Sequence, residues 1–261
     1  MQGRFQTEWA RLGLQAHFAK EVFYKILLTS HFPQFSKVII SDVDVVFLGD
    51  ISEGFLALDS KEDFYIAGVK ANNPNAIYPL TGWKEGYRHF SKDAFEAVKN
   101  GIGGGYLIAN LNAWRRDNIE AKLVDYLTKN ARSLVLAEQD VLNIICHPNI
   151  ATLSPAHIVC NWHWEAYGKE WENLTPEVYS KDELDNARDN PVQLHFVGDK
   201  KPWSVPSVPK SEIWYQYMLK TTFAREFLDN LESLILIRNQ KKPLLKRVIN
   251  KIRRSCKLIK R

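Results

Sequence analysis

Residues 37–50, KVIISDVDVVFLGD, decide the fold class of this chain. The run begins with a short β-branched apolar segment, residues 37–40, of the kind found in a strand that is covered on both faces. Asp42 and Asp44 stand at its end, and a second apolar step and a Gly-Asp turn follow. Strand-like segments of this kind alternate with helix-like segments along the chain. This alternation predicts an α/β layer fold.

Just before this run, residues 21–32 mix apolar and polar positions at helical spacing, which predicts a helix that ends before Pro33. A glycine-rich stretch at residues 103–105 leads into a further apolar strand. Residues 137–146 again have a helical pattern and predict a helix that Pro148 ends. The central part of the chain therefore continues the α/β alternation.

Composition excludes several classes of protein. Hydrophobic residues make up 45% of the chain and charged residues 25%, which excludes a collagen, a wholly disordered chain and a polytopic membrane protein. The chain has only three cysteines and no CxxC pair, so a disulfide scaffold or a zinc ribbon is not expected. With 261 residues, the chain is long enough to bury a substantial core.

Asp42 and Asp44 are the first candidates for chemistry. Residues i and i+2 of a strand point to the same side, and open α/β sheets bind ligands at the carboxyl ends of their strands. Two carboxylates placed there could hold a hard divalent cation that also tolerates bound phosphates. The alternative is a pair of solvated acids at a strand end, because so short a pattern is common.

A second candidate is the stretch HFVGDKKPW, residues 195–203. His195 follows an apolar run and could complete a metal shell, Gly198 allows the backbone to approach a ligand closely, and Lys201 offers a point charge to a phosphate. A core histidine and a solvated lysine are the alternative interpretation of the same residues.

Two further segments are candidates, one because of its polar side chains and the other because of its glycines. Glu138 and Gln139 open the predicted helix of residues 137–146, where acids are also favoured by the helix dipole alone. Gly104 and Gly105 belong to the glycine stretch, which is typical of close packing or a bulge and also of backbone laid against a sugar.

Taken in order, four segments resemble glycosyltransferase family 8. These segments are SDVDVVFLGDI, GGYLIANLNAWR, EQDVLN and HFVGDKKPW, and the last matches the family pattern HxxGxxKPW in full. The resemblance, most similar to bacterial lipopolysaccharide galactosyl- and glucosyltransferases, implies a GT-A (Rossmann-like) α/β fold. It also implies retaining, metal-dependent transfer from a nucleotide sugar.

The resemblance also implies a role for each matching residue. Asp42, Asp44 and His195 would bind Mn²⁺ (or Mg²⁺), and Lys201 with the Gly198 backbone would hold the diphosphate. The catalytic group would comprise Gln139 beside the anomeric carbon, Glu138 at the sugar hydroxyls and Asp42 near the sugar or ribose. Donor binding would further involve Gly104, Gly105 and Lys25, which stands where the family often has an arginine.

The chain departs from the family pattern in its length before the DxD. Family members usually carry two βα units ahead of that strand, whereas here the DxD begins at residue 42. We therefore expect an N-terminally incomplete GT-A fold, with roughly 60 residues absent at about thirty per βα unit. The expected domains are a catalytic domain over residues 1–240 and a tail over residues 241–261.

The tail, KKPLLKRVINKIRRSCKLIKR, holds ten of the 35 Lys and Arg residues and no acid, so the rest of the chain has more acidic than basic residues. Its apolar and basic positions alternate at near-helical spacing, which predicts a basic amphipathic helix on an anionic membrane surface. A solvated disordered tail and nucleic-acid binding are the alternatives. The acidic body of the chain argues against nucleic acid.

The resemblance implies an enzyme that transfers galactose or glucose from a UDP-sugar to a saccharide or lipid-linked saccharide. The setting would be lipopolysaccharide or surface-glycan synthesis at the cytoplasmic membrane, on its inner face. Three aromatic residues are candidate platforms on which the acceptor sugar stacks: Trp162, Trp164 and Tyr167. The alternative is that they are ordinary aromatic residues of the core and its rim. The rival functions are a non-catalytic remnant that binds glycan or a partner, and a phosphoesterase built on the two aspartates and His195. A phosphoesterase would need a second metal site or an activated water, and the sequence shows no second acid cluster with suitable spacing for it.

Overall fold

The computed structural model of the chain describes residues 4–12, 19–70, 86–99, 101–161 and 179–239. Two sets of residues singled out in the sequence lie outside these ranges. They are the aromatic residues Trp162, Trp164 and Tyr167, and the basic tail at 241–261.

Within the described residues, seven strands form two sheets. The strands are β1 (Lys37–Ser41), β2 (Val45–Phe47), β3 (Ile66–Lys70), β4 (Ile102–Asn110), β5 (Ile150–Thr152), β6 (Val159–Cys160) and β7 (Gln193–His195). The first sheet has the order β1-β4-β3-β5 and the second has the order β2-β7-β6. Antiparallel pairs join β1 to β4, β4 to β3, and β2 to β7, whereas β3 pairs with β5 and β6 pairs with β7 in parallel.

Helices connect these strands, which confirms the predicted α/β class. The α-helices are α1 (Gln6–Arg11), α2 (Leu28–His31), α3 (Ser52–Leu56), α4 (Lys92–Lys99), α5 (Leu111–Arg116), α6 (Ile119–Asn130), α7 (Ala137–Cys146), α8 (Lys181–Asp189), α9 (Ser211–Met218) and α10 (Ala224–Asn239). The bounds of α7 coincide with the helix predicted over residues 137–146.

Strand β4 divides the core of the first sheet between its two faces. Leu107 and Ala109 pack into a cluster that includes residues of α5, α6 and α7, whereas Tyr106 and Ile108 pack into a second cluster. All four side chains are fully buried. This alternation follows from the two-residue period of a strand, and it fixes the register of β4 because a one-residue slip would exchange the two faces.

Strand β1 is not covered as the sequence predicted. The pattern of residues 37–40 predicts a strand buried on both faces. In the structure, all five residues of β1 are only partly buried. The reason is that β1 lies at the edge of the first sheet, with β4 as its neighbour. Its apolar side chains still pack on both faces of the sheet, Val38 and Ile40 against one core cluster and Ile39 against the other.

The helix predicted over residues 21–32 is broken into two pieces, a 3₁₀ helix at Lys20–Ile26 and the short α2. The break is explained by Glu120 of α6. Its Oε2 atom accepts hydrogen bonds from the backbone N–H groups of Thr29 at 2.7 Å and Ser30 at 3.1 Å. In an unbroken α-helix these N–H groups would bond to carbonyls four residues earlier.

The chain divides into two compact units, residues 1–199 and residues 200–261. Both sheets belong to the first unit. In the second unit, Trp203 packs against Trp214 of α9 with a centroid distance of 5.7 Å, and the Tyr215 hydroxyl donates to the Pro202 carbonyl at 3.0 Å. The boundary between the units lies inside the HFVGDKKPW stretch.

No helix in the described part of the chain is long and apolar enough to cross a membrane.

We predict that Glu120→Ala lowers the free energy of unfolding by about 2 kcal/mol, because it leaves the N–H groups at the start of α2 without their acceptor. Partial burial raises the pKa of Glu120, but the hydrogen bonds from Ser30 and Thr29 outweigh it and the pKa lies below its ordinary value. A carboxyl with a lowered pKa stabilises the fold above its unfolded pKa of about 4.3, and this contribution is lost as the pH falls through the folded value.

Urea unfolding at pH 7 and at pH 3 measures this effect, and the difference between wild type and variant is expected to shrink at pH 3. The control is Asp125→Ala on the same helix, whose partner Lys129 is largely exposed. Such a pair contributes only about 0.5 kcal/mol. Equal losses from the two variants would contradict the assignment of Glu120 as a helix cap.

Candidate metal and sugar site

The Asp-Val-Asp segment links the two sheets. Strand β1 of the first sheet ends at Ser41 and β2 of the second sheet begins at Val45, so residues 42–44 carry the chain across. The Val43 side chain is 98% exposed, whereas Asp42 and Asp44 are partly buried. The alternation expected of residues i and i+2 is therefore kept through the link, and both carboxylates turn inward.

His195 completes a cluster with these two aspartates. In the β2–β7 pair His195 lies opposite Val45, and its Nε2 atom is 3.1 Å from Asp44 Oδ1 and 3.5 Å from Asp42 Oδ2. One ligand atom from each of the three residues lies within 4.8 Å of the others. Two carboxylates and an imidazole that converge in this way fit a divalent cation, and they are the three residues predicted as metal ligands.

Gly105 of β4 makes room for the His195 ring. A Cβ atom on Gly105 would lie 2.7 Å from His195 Nδ1 and 2.8 Å from its Cε1, closer than real Cβ contacts allow. The Gly105 carbonyl also accepts a hydrogen bond from the backbone N–H of Asp42 at 3.1 Å. Within the glycine stretch, Gly105 is thus required by close packing inside the site.

Lys25 lies between two carboxylates. Its ammonium group donates to Asp42 Oδ1 at 2.5 Å, to the Gly104 carbonyl at 2.9 Å and to Glu138 Oε1 at 3.0 Å. The Lys25 side chain is only 10% exposed and the Glu138 side chain only 7%. Asp42 therefore faces Lys25 with one oxygen and His195 with the other, and it joins the metal cluster to a buried ion-pair network.

The pKa shifts in this network follow from burial and charge. Burial lowers the pKa of Lys25, but the charges and hydrogen bonds of Glu138 and Asp42 outweigh it, so the net shift is upward. Burial raises the pKa of Glu138, and the Lys25 charge opposes that rise without cancelling it. Removing Lys25 would leave Glu138 buried without the cation that opposes its protonation.

Helix α7 presents Glu138 and Gln139 from a constrained start. Ala137 has a φ of 45°, in the left-handed region that side chains rarely adopt. The turn before it is held by Asp140, whose Oδ2 accepts from the N–H groups of Val135 at 2.7 Å and Leu136 at 2.8 Å. From this start, Gln139 Oε1 accepts a hydrogen bond from the Gly104 N–H at 2.8 Å. The role of Asp140 is therefore to hold the turn that precedes α7.

Two buried amides were missed by the sequence reasoning. Asn143 Oδ1 accepts from the Ile102 N–H at 2.9 Å, and its Nδ2 donates to the Ile102 carbonyl at 3.0 Å, which fastens α7 to β4. Gln193 of β7 is 0% exposed. The available signal was a single amide within each of the apolar runs VLNIIC and PVQLH.

The second half of the HFVGDKKPW stretch falls in the other compact unit. Gly198 has a φ of 81°, which glycine adopts without strain, and it forms the turn after β7. Lys201 lies beyond the boundary, in residues 200–261. The diphosphate-binding role of Lys201 and the Gly198 backbone stays a prediction.

Several known proteins are similar to this chain in sequence. The profile of Glycosyl transferase family 8 matches residues 4–205. General stress protein A of Bacillus subtilis (strain 168) is 24% identical over 213 residues, which cover 79% of this chain and 67% of that protein. Probable galacturonosyltransferase 13 of Arabidopsis thaliana is 24% identical over 223 residues, which cover 80% of this chain and 37% of that protein. The chain thus spans 37 to 67% of the length of these two relatives.

Solved structures share the fold at low sequence identity. The bifunctional glycosyltransferase WbbM in its apo form matches with a TM-score of 0.58 and 18% identity, over 82% of this chain and 38% of that chain. The galactosyltransferase LgtC, solved with donor and acceptor sugar analogues, matches with a TM-score of 0.54 and 16% identity, over 87% of this chain and 72% of that chain. The predicted GT-A fold is confirmed by these neighbours.

We predict that Gly105→Ala weakens Mn²⁺ binding by about tenfold or more, because the new methyl group displaces the His195 ring from the two aspartates. Isothermal titration of Mn²⁺ into the folded variant measures this. Gly104→Ala is the matched control. A Cβ there meets Gln139 and Glu138 oxygens at an ordinary 3.4 Å, so it should disturb Mn²⁺ binding far less. Equal Mn²⁺ affinities in wild type and Gly105→Ala would contradict the cluster as a metal site.

We also predict that Lys25→Met destabilises the fold by about 3 kcal/mol or more, because it removes one partner from a buried ion pair. Without Lys25 the pKa of Glu138 rises further. A carboxyl whose folded pKa exceeds its unfolded value loses stability as the pH rises between those values.

Urea unfolding from pH 5 to pH 8 measures this effect, and the Lys25→Met chain should lose more stability across that interval than wild type does. Lys25→Met/Glu138→Gln is the matched control, since it removes the group that titrates and should flatten the added pH dependence. A Lys25→Met profile parallel to that of wild type would contradict the role of Lys25.

Proposed function

The chain belongs to glycosyltransferase family 8, and on that premise we propose that it transfers galactose or glucose from a UDP-sugar to a saccharide acceptor with retention of configuration. One observation carries the proposal. The cluster of Asp42, Asp44 and His195 adjoins the network of Lys25 and Glu138 through the two oxygens of a single carboxylate. This arrangement supports the proposal of a cation site beside a set of polar groups for the sugar.

The proposed metal is a divalent cation, with Mn²⁺ preferred. An imidazole nitrogen beside two carboxylates suits a transition metal better than Mg²⁺ or Ca²⁺, whose usual ligands are oxygens. When bound, such a cation supplies positive charge to the diphosphate that leaves with the nucleoside. Asp42, Asp44 and His195 would hold it, and Lys201 and the Gly198 backbone are the groups that we assign to the diphosphate.

On the sugar side, the proposed groups are those at the start of α7. Gln139 is oriented by the hydrogen bond that its Oε1 accepts from Gly104, and Glu138 is held beside it by Lys25. Glutamine is a poor nucleophile, so we assign Gln139 to the face of the sugar opposite the leaving group and Glu138 to the sugar hydroxyls. Asp42 would complete this set near the sugar or ribose.

The proposed reaction takes place on the front face of the sugar. The bond between the anomeric carbon and the UDP oxygen breaks, and the acceptor hydroxyl oxygen bonds to the same carbon on the same face. The acceptor proton passes to a phosphate oxygen of the departing UDP. Charge develops on that phosphate and on an oxocarbenium-like sugar, so preorganised groups at both ends lower the barrier.

For the acceptor, we propose the growing core of a lipopolysaccharide or a similar surface glycan, reached at the inner face of the cytoplasmic membrane. The sequence of the tail at 241–261 supports this proposal. Ten basic residues without an acid attract an anionic leaflet, at about 1 kcal/mol for each residue near the surface. Trp162, Trp164 and Tyr167 are the proposed acceptor-side platforms.

The test is turnover of UDP-galactose and UDP-glucose with Mn²⁺ and a panel of saccharide acceptors, with UDP release and the anomeric configuration of the product as readouts. We predict a retained configuration, and a loss of about 100-fold or more in rate for Asp44→Asn and His195→Ala. Glu96→Gln, which alters a carboxylate on α4 outside the site, is the control and should keep the wild-type rate.

An inverted product would contradict the proposed mechanism.

Titration of UDP with and without Mn²⁺ precedes the turnover assay. A folded chain that binds neither UDP nor a UDP-sugar would overturn the transferase assignment and favour the rival function of a remnant that binds glycan without turnover.

A further inference from the structure

The metal cluster draws its residues from both sheets. Asp42 follows β1 of the first sheet, and His195 ends β7 of the second. The second sheet is small, since β2 and β7 have three residues each and β6 has two. Asp44 precedes β2, the partner of β7, so the distance that depends on how firmly β7 is held against the first sheet is that between His195 and Asp42.

A buried amide links the two sheets next to the cluster. Gln193 of β7 is 0% exposed. Its Nε2 atom donates to the Gly105 carbonyl at 3.2 Å, and its Oε1 atom accepts from the Ser41 hydroxyl at 3.1 Å. Both partners belong to the first sheet, so one side chain from the second sheet bonds to β1 and β4 together.

Gln193 and His195 meet the same glycine. Residues i and i+2 of a strand project to the same side, so both side chains leave β7 toward β4. Gly105 accepts the Gln193 hydrogen bond at its carbonyl, and the place of its absent Cβ is filled by the His195 ring. The same carbonyl also accepts from the backbone N–H of Asp42. The Gln193 amide thus bonds to Gly105, the residue that contacts both His195 and Asp42.

An amide at this position needs a reason beyond packing. A buried amide is costly unless both its donor and its acceptor are satisfied, whereas an apolar side chain of equal length would fill the same space without that requirement. Both ends of Gln193 are satisfied, and both by atoms adjacent to the metal cluster. The single Ser41 hydroxyl proton is shared between Gln193 Oε1 and the Asp42 carbonyl, whose oxygen lies 2.8 Å from Ser41 Oγ, and this ties the link to the Asp-Val-Asp segment.

We propose that Gln193 is a positioning residue for the metal site: it fixes β7 on the first sheet so that His195 reaches the cation held by Asp42 and Asp44. The inference rests on the proposed function for the presence of that cation. Gln193 does not touch the cation or the sugar, and it acts through the placement of His195. Partners that orient metal ligands in this way commonly contribute about 10- to 100-fold to metal affinity.

The test replaces Gln193 by methionine, which keeps the unbranched shape and removes both hydrogen bonds. Titration of Mn²⁺ measures the affinity, and electron spin-echo spectroscopy of the bound Mn²⁺ measures the coupling to the His195 nitrogen. We expect Gln193→Met to weaken Mn²⁺ binding by about tenfold and to reduce the nitrogen coupling. Ser41→Ala removes one of the two Gln193 bonds together with the contact to the Asp42 carbonyl, and it should change both readouts in the same direction, so the test remains available if Gln193→Met does not fold.

The matched control is Asn143→Leu, which removes another buried amide that bonds to the β4 backbone, at Ile102 and away from the cluster. It should lower stability in urea while the nitrogen coupling stays unchanged and Mn²⁺ affinity stays near that of wild type. Wild-type affinity and coupling in Gln193→Met and Ser41→Ala, or equal loss of affinity in Asn143→Leu, would overturn the inference alone. A folded wild-type chain that binds no Mn²⁺ would overturn the proposed metal site and this inference together.

Discussion

The site depends on one constraint, the close approach of three chain segments at Gly105. The Gly105 carbonyl accepts hydrogen bonds from the Asp42 N–H and the Gln193 amide, and the absence of a side chain leaves space for the His195 ring. These contacts join β1, β4 and β7, which come from two sheets and from distant parts of the chain. A side chain at this position would displace His195 from the aspartates, and a slip of β7 would do the same.

The electrostatics of the site follow from that geometry. Three carboxylates, those of Asp42, Asp44 and Glu138, lie beside two basic side chains, those of Lys25 and His195. Lys25 contacts Asp42 and Glu138 directly, and Asp44 faces the imidazole of His195. Carboxylates that are removed from water are stabilised by positive partners, and a divalent cation beside Asp42 and Asp44 would add to the charge that Lys25 supplies to Asp42 and Glu138.

Sequence reasoning succeeded where chemistry was concentrated in short segments. The ordered motifs predicted that Asp42, Asp44 and His195 act as a set. In the structure, one ligand atom from each lies within 4.8 Å of the others. It failed where a distant residue determines the local structure. The helix expected over residues 21–32 breaks because Glu120, about 90 positions later, binds the N–H groups of Thr29 and Ser30. No local pattern in residues 21–32 contains that information.

The sequence by itself determined the α/β class and the bounds of α7, because hydrophobic period and helix ends are local properties of the chain. The family and the set of Asp42, Asp44 and His195 came from the resemblance of four ordered segments to that family. Only the tertiary structure decided that β1 is an edge strand, that Lys25 bridges Asp42 and Glu138, and that Gln193 and Asn143 fasten β7 and α7 to β4. Each of these depends on which segments meet in space. A lone lysine or amide in an apolar run has the same appearance in a sequence whether or not it has a partner across the core.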